Sequence, residues 1–206
     1  MVYALRNVMS RRRLFVGRVI HLWSKLAAVR SLSGEGEAAD NGPVVIIVMG
    51  AAGAGKTTTG RALAAELGWP FIEGDDRHPE ANVEKIRAGQ ALTDADRAPW
   101  LAALHATIAH SVDRREPLVM ACSALKRRYR EILRGDCRGV RFVFLKAARP
   151  ELAKRLASRA GHFAGISILD SQLSTLEEPS GGEAATVDAL LPPERILAEI
   201  RKEFGV

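Results

Sequence analysis

The chain is poor in cysteine, with only Cys122 and Cys137 in 206 residues. Two cysteines make no disulfide framework and lack metal-ligand spacing, so a reducing cytoplasm is the simplest home. A transmembrane span is also missing, because Arg18 and Lys25 interrupt a stretch already too short to cross a bilayer. There is no internal repeat and no low-complexity tract. Acid is absent from the first part of the chain until Glu35, where Arg6, Arg11, Arg12, Arg13, Arg18, Lys25 and Arg30 accumulate. Those seven cations against Glu35, Glu37 and Asp40 give residues 1–43 a charge of +4 out of the total +6. The remaining 23 cations and 21 acids leave only +2, so the body of the protein gives little support to nucleic-acid binding.

The length suits one domain with an appendage, and 47% apolar residues suffice for a real core. In the appendage, Arg11, Arg18 and Lys25 recur every seven residues while Phe15, Val19, Leu22, Leu26 and Val29 fall on another side. That pattern allows a basic amphipathic helix or an organelle transit peptide. A disordered extension, translated from an upstream start codon, is the plainer alternative. Ser33 to Pro43 is a polar, glycine-containing linker that separates this arm from the domain at about residue 44.

What organises the rest is the stretch from Val44 to Thr57. Val44 to Met49 is an unbroken run rich in β-branched residues, the pattern of a strand buried on both faces of a parallel sheet. Gly50-Ala51-Ala52-Gly53-Ala54-Gly55-Lys56-Thr57 then completes a G-x-x-x-x-G-K-[ST] phosphate loop, with Thr58 just beyond. Its backbone N–H groups can line an anion-sized hollow, Lys56 can reach the β- and γ-phosphates, and the Thr57 hydroxyl can ligate Mg²⁺. A helix follows at once and stops at Gly68, so nucleotide phosphates would face its N-terminus.

Further strands are expected at Trp69–Glu73, Pro117–Cys122, Val140–Leu145 and Val187–Leu191. Helices are expected from about Pro79 to Ala88, from Asp94 toward Val112, from Ser123 as N-cap, from Pro150 and from Pro193. Alternating strands and helices argue a parallel sheet with right-handed crossovers. Between about residues 160 and 182 the pattern loosens, where a mobile lid would sit.

Glu73 and Asp75 follow the second strand and, two apart, would share one side of an extended chain over the crevice. One carboxylate can hold Mg²⁺ through water while the other meets an acceptor hydroxyl. A solvated acidic turn before a helix is the duller alternative. Arg155 and Arg159, four apart, share a helix face and could close on a transferring phosphate, or form a solvated basic face.

Several segments together resemble the gluconate kinases. They are Phe71 to Pro79, then Asn82, Lys85 and Gly89, then Leu92 to Leu101, and Cys122 to Arg130. Arg155, Arg159, Gly161-His162-Phe163, Ser171-Gln172 and Leu176 to Pro179 match that family's lid. The resemblance covers about residues 44–205 and leaves out the arm; Ala164 to Ser167 departs from the pattern. It implies a three-layer α/β/α P-loop kinase with a five-stranded parallel sheet and a helical lid. Such an enzyme uses MgATP to phosphorylate the 6-hydroxyl of D-gluconate and forms a homodimer without nucleic acid or stable membrane insertion. It implies Asp75 as the acceptor-side carboxylate, and Glu73 where an Asp is common. His78, Arg97, Ser123 and Lys126 are then the groups for a hydroxyl-lined anion.

Each has a plainer role available: His78 as a helix cap, Arg97 paired with Asp94 or Asp96, and Lys126 solvated. Trp100 reads as core, and Cys122 as a small buried hydrophobe. Shikimate kinase is the competing enzyme, disfavoured because Cys122-Ser-Ala-Leu-Lys126 replaces its glycine-rich third-strand end. A nucleotide-dependent binding module docking through the arm is the competitor of another class.

Overall fold

Five parallel strands alternate with helices in the computed structural model, which describes residues 45–158 and 162–206. The arm at residues 1–43 and Arg159 lie outside the described residues. The strands are β1 (Val45–Met49), β2 (Phe71–Glu73), β3 (Leu118–Ala121), β4 (Val140–Lys146) and β5 (Ala185–Asp188). They run in the order β2-β3-β1-β4-β5, with Val45 level with both Leu118 and Val140. The first strand is thus central, as its uninterrupted apolar character requires, and all five of its residues are buried.

The helices are α1 (Lys56–Leu67), α2 (Glu80–Arg87), α3 (Asp94–Arg114), α4 (Arg127–Arg134), α5 (Arg149–Ala157), α6 (His162–Thr175) and α7 (Pro193–Phe204). Alternate residues of β1 point into two separate cores, as a period of two demands. Val45, Ile47 and Met49 pack with Trp100, Leu101, Leu104 and Ile108 of α3 and Tyr129 and Leu133 of α4. Ile46 and Val48 pack instead with Leu63 of α1, Leu152 of α5, Leu169 of α6 and Ile196, Leu197 and Ile200 of α7. The result is the expected three-layer α/β/α arrangement. Its strand order reverses beside β1, where open parallel sheets bind ligands at the carboxyl ends of their strands.

Two local expectations need correction, and the lid region shows the helix expected of it. The last strand ends at Asp188 rather than reaching Leu191, because the Asp188 carboxylate accepts the Leu190 N–H at 2.8 Å and turns the chain. Helix α4 begins at Arg127 with Lys126 as its N-cap, so Ser123 does not cap it. Residues 123–126 instead form a loop in which Ala124 takes a left-handed φ of 44°. The loose region after residue 160 contains a regular helix, α6. Its sequence hides this because it has little polar–apolar contrast.

Candidate functional site

The phosphate loop leaves β1 at Gly50 and enters α1 at Lys56. Gly50 and Gly53 have φ of 143° and 83°, where side chains are strained. A Cβ at Gly50 would also lie 2.8 Å from the Leu145 carbonyl oxygen, and one at Gly53 2.9 Å from that of Leu152. The loop can therefore lie this close to β4 and α5 only with glycine at both positions. Lys56 donates to the Ala51 carbonyl at 3.1 Å, across its own loop.

At the end of β2, Glu73 and Asp75 take different places. Glu73 is the last residue of the strand, and its carboxylate accepts the Thr57 hydroxyl at 2.7 Å. Asp75 lies in a 3₁₀ turn, Gly74–Arg77, so strand alternation does not set its direction as the spacing suggested. Trp100 of α3 pins that turn by donating its indole N–H to the Gly74 carbonyl at 2.8 Å. Trp100 also stacks on His78, with ring centroids 4.3 Å apart and planes within 15°. It is both core, as expected, and part of the site wall.

One cavity of about 520 Å³ brings these parts together. Ala52, Gly53, Lys56 and Thr57 line it from the phosphate loop, and Asp75, His78, Arg97 and Ser123 line it from the other strands and α3. Ser167, Ser171 and Gln172 contribute from α6, and Ile86, Arg87 and Leu92 from α2 and the loop after it. The phosphate end and a polar, cation-bearing end thus share a single chamber.

The start of α3 is fixed by a capping box, in which Asp96 N–H donates to the Thr93 hydroxyl while Thr93 N–H donates to the Asp96 carboxylate. Lys85 of α2 adds an ion pair to Asp96 at 2.6 Å and holds that carboxyl well below the usual range. Arg97, one residue on, donates to the Leu92 carbonyl and lines the cavity. His78 does not cap α2, whose N-cap is Pro79. Its Nδ1 lies 3.4 Å from the Asn82 amide nitrogen, and burial, above all, lowers the imidazole below its ordinary pKa. Nearby Asp75 opposes that shift, and Arg97 reinforces it.

Two expected site residues stand apart from the cavity lining. Lys126 donates to the Asp94 carboxylate at 3.0 Å, beside Tyr129, which donates to the same group. Arg155 of α5 donates to the Ala189 carbonyl at 2.6 Å. Cys122 is buried, and burial pushes its thiol up to about 12, so it is a small hydrophobe as anticipated.

Gln172 was legible only as part of the lid pattern, yet its amide oxygen accepts the Ala52 N–H of the phosphate loop at 2.7 Å. The Thr57–Glu73 pair offers two hard oxygen donors beside the phosphates, a donor set that fits Mg²⁺.

The family model described as an AAA domain matches residues 45–179. A gluconokinase of Gluconobacter oxydans is 49% identical over 163 residues, which cover 79% of this chain and 92% of that one. A probable gluconokinase of Schizosaccharomyces pombe is 43% identical, over 68% of this chain and 75% of its own length. The chain belongs to the gluconokinase family. Its fold agrees with the crystal structure of a gluconokinase from Sinorhizobium meliloti at a TM-score of 0.72 and 45% identity, over 79% of this chain and 92% of that one. Membership of this family makes the chain a nucleotide-binding P-loop kinase. Among the described residues, no helix is long and apolar enough to cross a membrane.

Proposed function

We propose that this chain is an ATP-dependent gluconokinase that transfers the γ-phosphoryl group to the 6-hydroxyl of D-gluconate. The observation that carries the reading is the shared chamber, which faces Lys56 and Thr57 on one side and Asp75, His78 and Arg97 on the other. A polyol carboxylate needs a cation and several paired donors and acceptors, and that end of the chamber offers both. Arg97 supplies charge for the carboxylate, while His78 and Ser123 offer hydrogen bonds to hydroxyls.

In the reaction, a bond forms between the acceptor oxygen and the γ-phosphorus as the bond to the β,γ-bridging oxygen breaks. Asp75 orients the acceptor hydroxyl and takes its proton, while ADP leaves with the bridging oxygen. Lys56 and the loop N–H groups meet the negative charge that spreads over the phosphoryl oxygens. Mg²⁺, held by Thr57 directly and by Glu73 through water, would supply further charge neutralisation there. Arg155 must release the Ala189 carbonyl to reach a transferring phosphate; its helix ends at Ala157, so Arg159 takes the same role on the family resemblance and not on a shared helix face. Lys126 acts on the acceptor side through its tie to Asp94 at the start of α3. The enzyme is read as a homodimer working in the cytoplasm.

A coupled assay for ADP with gluconate, shikimate and other sugar acids tests this directly. Turnover with gluconate and not with shikimate is expected. ADP release with shikimate alone would transfer the chain to the competing activity.

A further inference from the structure

Arg130 belongs to the segment Cys122 to Arg130 but has no part in the chemistry above. It sits on α4 with only 2% of its surface exposed. Its Nε and Nη2 donate to the two carboxylate oxygens of Glu183 at 2.7 and 3.1 Å. Its Nη1 donates to three backbone carbonyls: Ala124 at 3.1 Å, Leu125 at 3.1 Å and Glu177 at 3.0 Å. Burying a paired charge gains little stability over a well-packed hydrophobe, so this arginine contributes geometry. The planar guanidinium fork fixes five acceptors in one arrangement, which a lysine ammonium cannot reproduce.

The three carbonyls belong to two segments next to residues that line the cavity, while Glu183 holds the fork from the chain before β5. The first segment is the loop between β3 and α4, whose Ala124 is held in the left-handed region without being glycine. Ser123, one residue before, lines the cavity, and Lys126, at the end of the loop, grips Asp94 in the first turn of α3. Arg97 projects from the next turn. The second segment leaves α6, five residues beyond Gln172. Glu177 ties it to the loop twice more, its N–H donating to the Leu125 carbonyl at 2.9 Å and its carboxylate accepting the Arg127 N–H at 2.7 Å.

We propose that Arg130, oriented by Glu183, is a positioning residue for the acceptor side of the site, holding the Ser123–Lys126 loop and the end of α6 in register. The phosphate loop leaves β1, packs closely on β4 and α5 and meets the clamped segments at two points, Gly50 N–H to the Ser123 carbonyl at 3.4 Å and Ala52 N–H to Gln172, so the effect falls chiefly on the acceptor. The inference rests on the reading that gluconate occupies the chamber beside Asp75.

The test is steady-state kinetics of Arg130→Lys and Glu183→Gln, with thermal melting to show that each variant folds. Arg130→Lys should raise the KM for gluconate about tenfold or more while the KM for ATP stays within twofold. Glu183→Gln, which frees the fork without removing it, should raise the KM for gluconate about threefold and leave ATP alone. If Arg130→Lys does not fold, Glu183→Gln decides alone. A gluconate KM within twofold of wild type in the folded variants, or gluconate and ATP parameters rising together, overturns the role. Wild-type protein without gluconate turnover would instead sink the substrate assignment, so the two failures are distinguishable.

Discussion

At the scale of single residues, two carboxylates two positions apart take different places. Glu73 accepts the Thr57 hydroxyl, whereas Asp75 lines the acceptor chamber. Glu73→Gln is therefore expected to weaken Mg²⁺ dependence and to be partly rescued by excess Mg²⁺. Asp75→Asn should bind nucleotide normally but lose turnover by about 10²-fold or more, the usual scale for losing a positioned base, with no rescue. A Mg²⁺ titration of both variants at saturating ATP and gluconate checks this, and restoration of Asp75→Asn by metal would reverse the roles. The two positions and an expected division of roles between them were legible in the sequence; the 3₁₀ turn that replaces the extended chain at Asp75 was not. His78 carries a pH prediction. Burial lowers its pKa below 6.5, so in the folded protein it stays neutral at pH 7 and becomes charged only at a more acidic pH. Protonation opposes the folded environment, so any change in gluconate KM due to His78 should be centred below pH 6.5 and be missing from His78→Gln. A His78-dependent limb centred above pH 6.5 would contradict this.

Among the elements, α6 is the one whose role sequence patterning conceals. Its apolar residues do not form a clean stripe, so the region reads as a loose lid, yet Leu169 enters the core and Gln172 reaches the phosphate loop. The elements with clear signals were read well: α3 keeps its stripe of Leu101, Leu104 and Ile108, and β1 its double-faced burial. The start of α4 was misread because Ser123 is a good capping residue by type. Capping preference is a property of residue type, while the left-handed turn at Ala124 is held by the buried Arg130 side chain six residues on, whose guanidinium donates to the Ala124 carbonyl. The Gln172 contact has a consequence at this scale. A nucleotide phosphate oxygen and the Gln172 amide oxygen compete for the same Ala52 N–H, so α6 and the nucleotide oppose each other at that point. Gln172→Ala should therefore bind nucleotide several-fold more tightly, given about 1 kcal/mol for a net hydrogen bond. Calorimetric titration with a non-hydrolysable ATP analogue checks it. Weaker binding would show that Gln172 supports the loop instead of competing for it.

For the molecule as a whole, the question is which part of the chain suffices for activity. Among the described residues, which begin at Val45, stand two cores, a five-stranded sheet and the shared chamber. The family model also begins its match at residue 45, and the Gluconobacter oxydans relative aligns over 163 residues while covering 92% of its own length. A relative nearly complete over that span needs no counterpart of the basic first segment. The charge distribution argues the same way, since residues 1–43 hold +4 of the net +6 and the remainder is close to neutral. Gluconate is an anion, and long-range attraction from a basic segment could raise its encounter rate, an effect that salt would screen over about 8 Å at physiological ionic strength. The chamber is already lined by Arg97 and Lys56, so the added attraction should be small. A protein lacking residues 1–43 is therefore expected to fold with an unchanged melting temperature and to keep kcat and both KM values within about twofold. The measurement is side-by-side kinetics of the full and shortened chains at low and at physiological salt. A shortened protein that folds but loses gluconate phosphorylation would place the arm in the site. A loss confined to low salt would give it a steering role and no contact with the reacting groups.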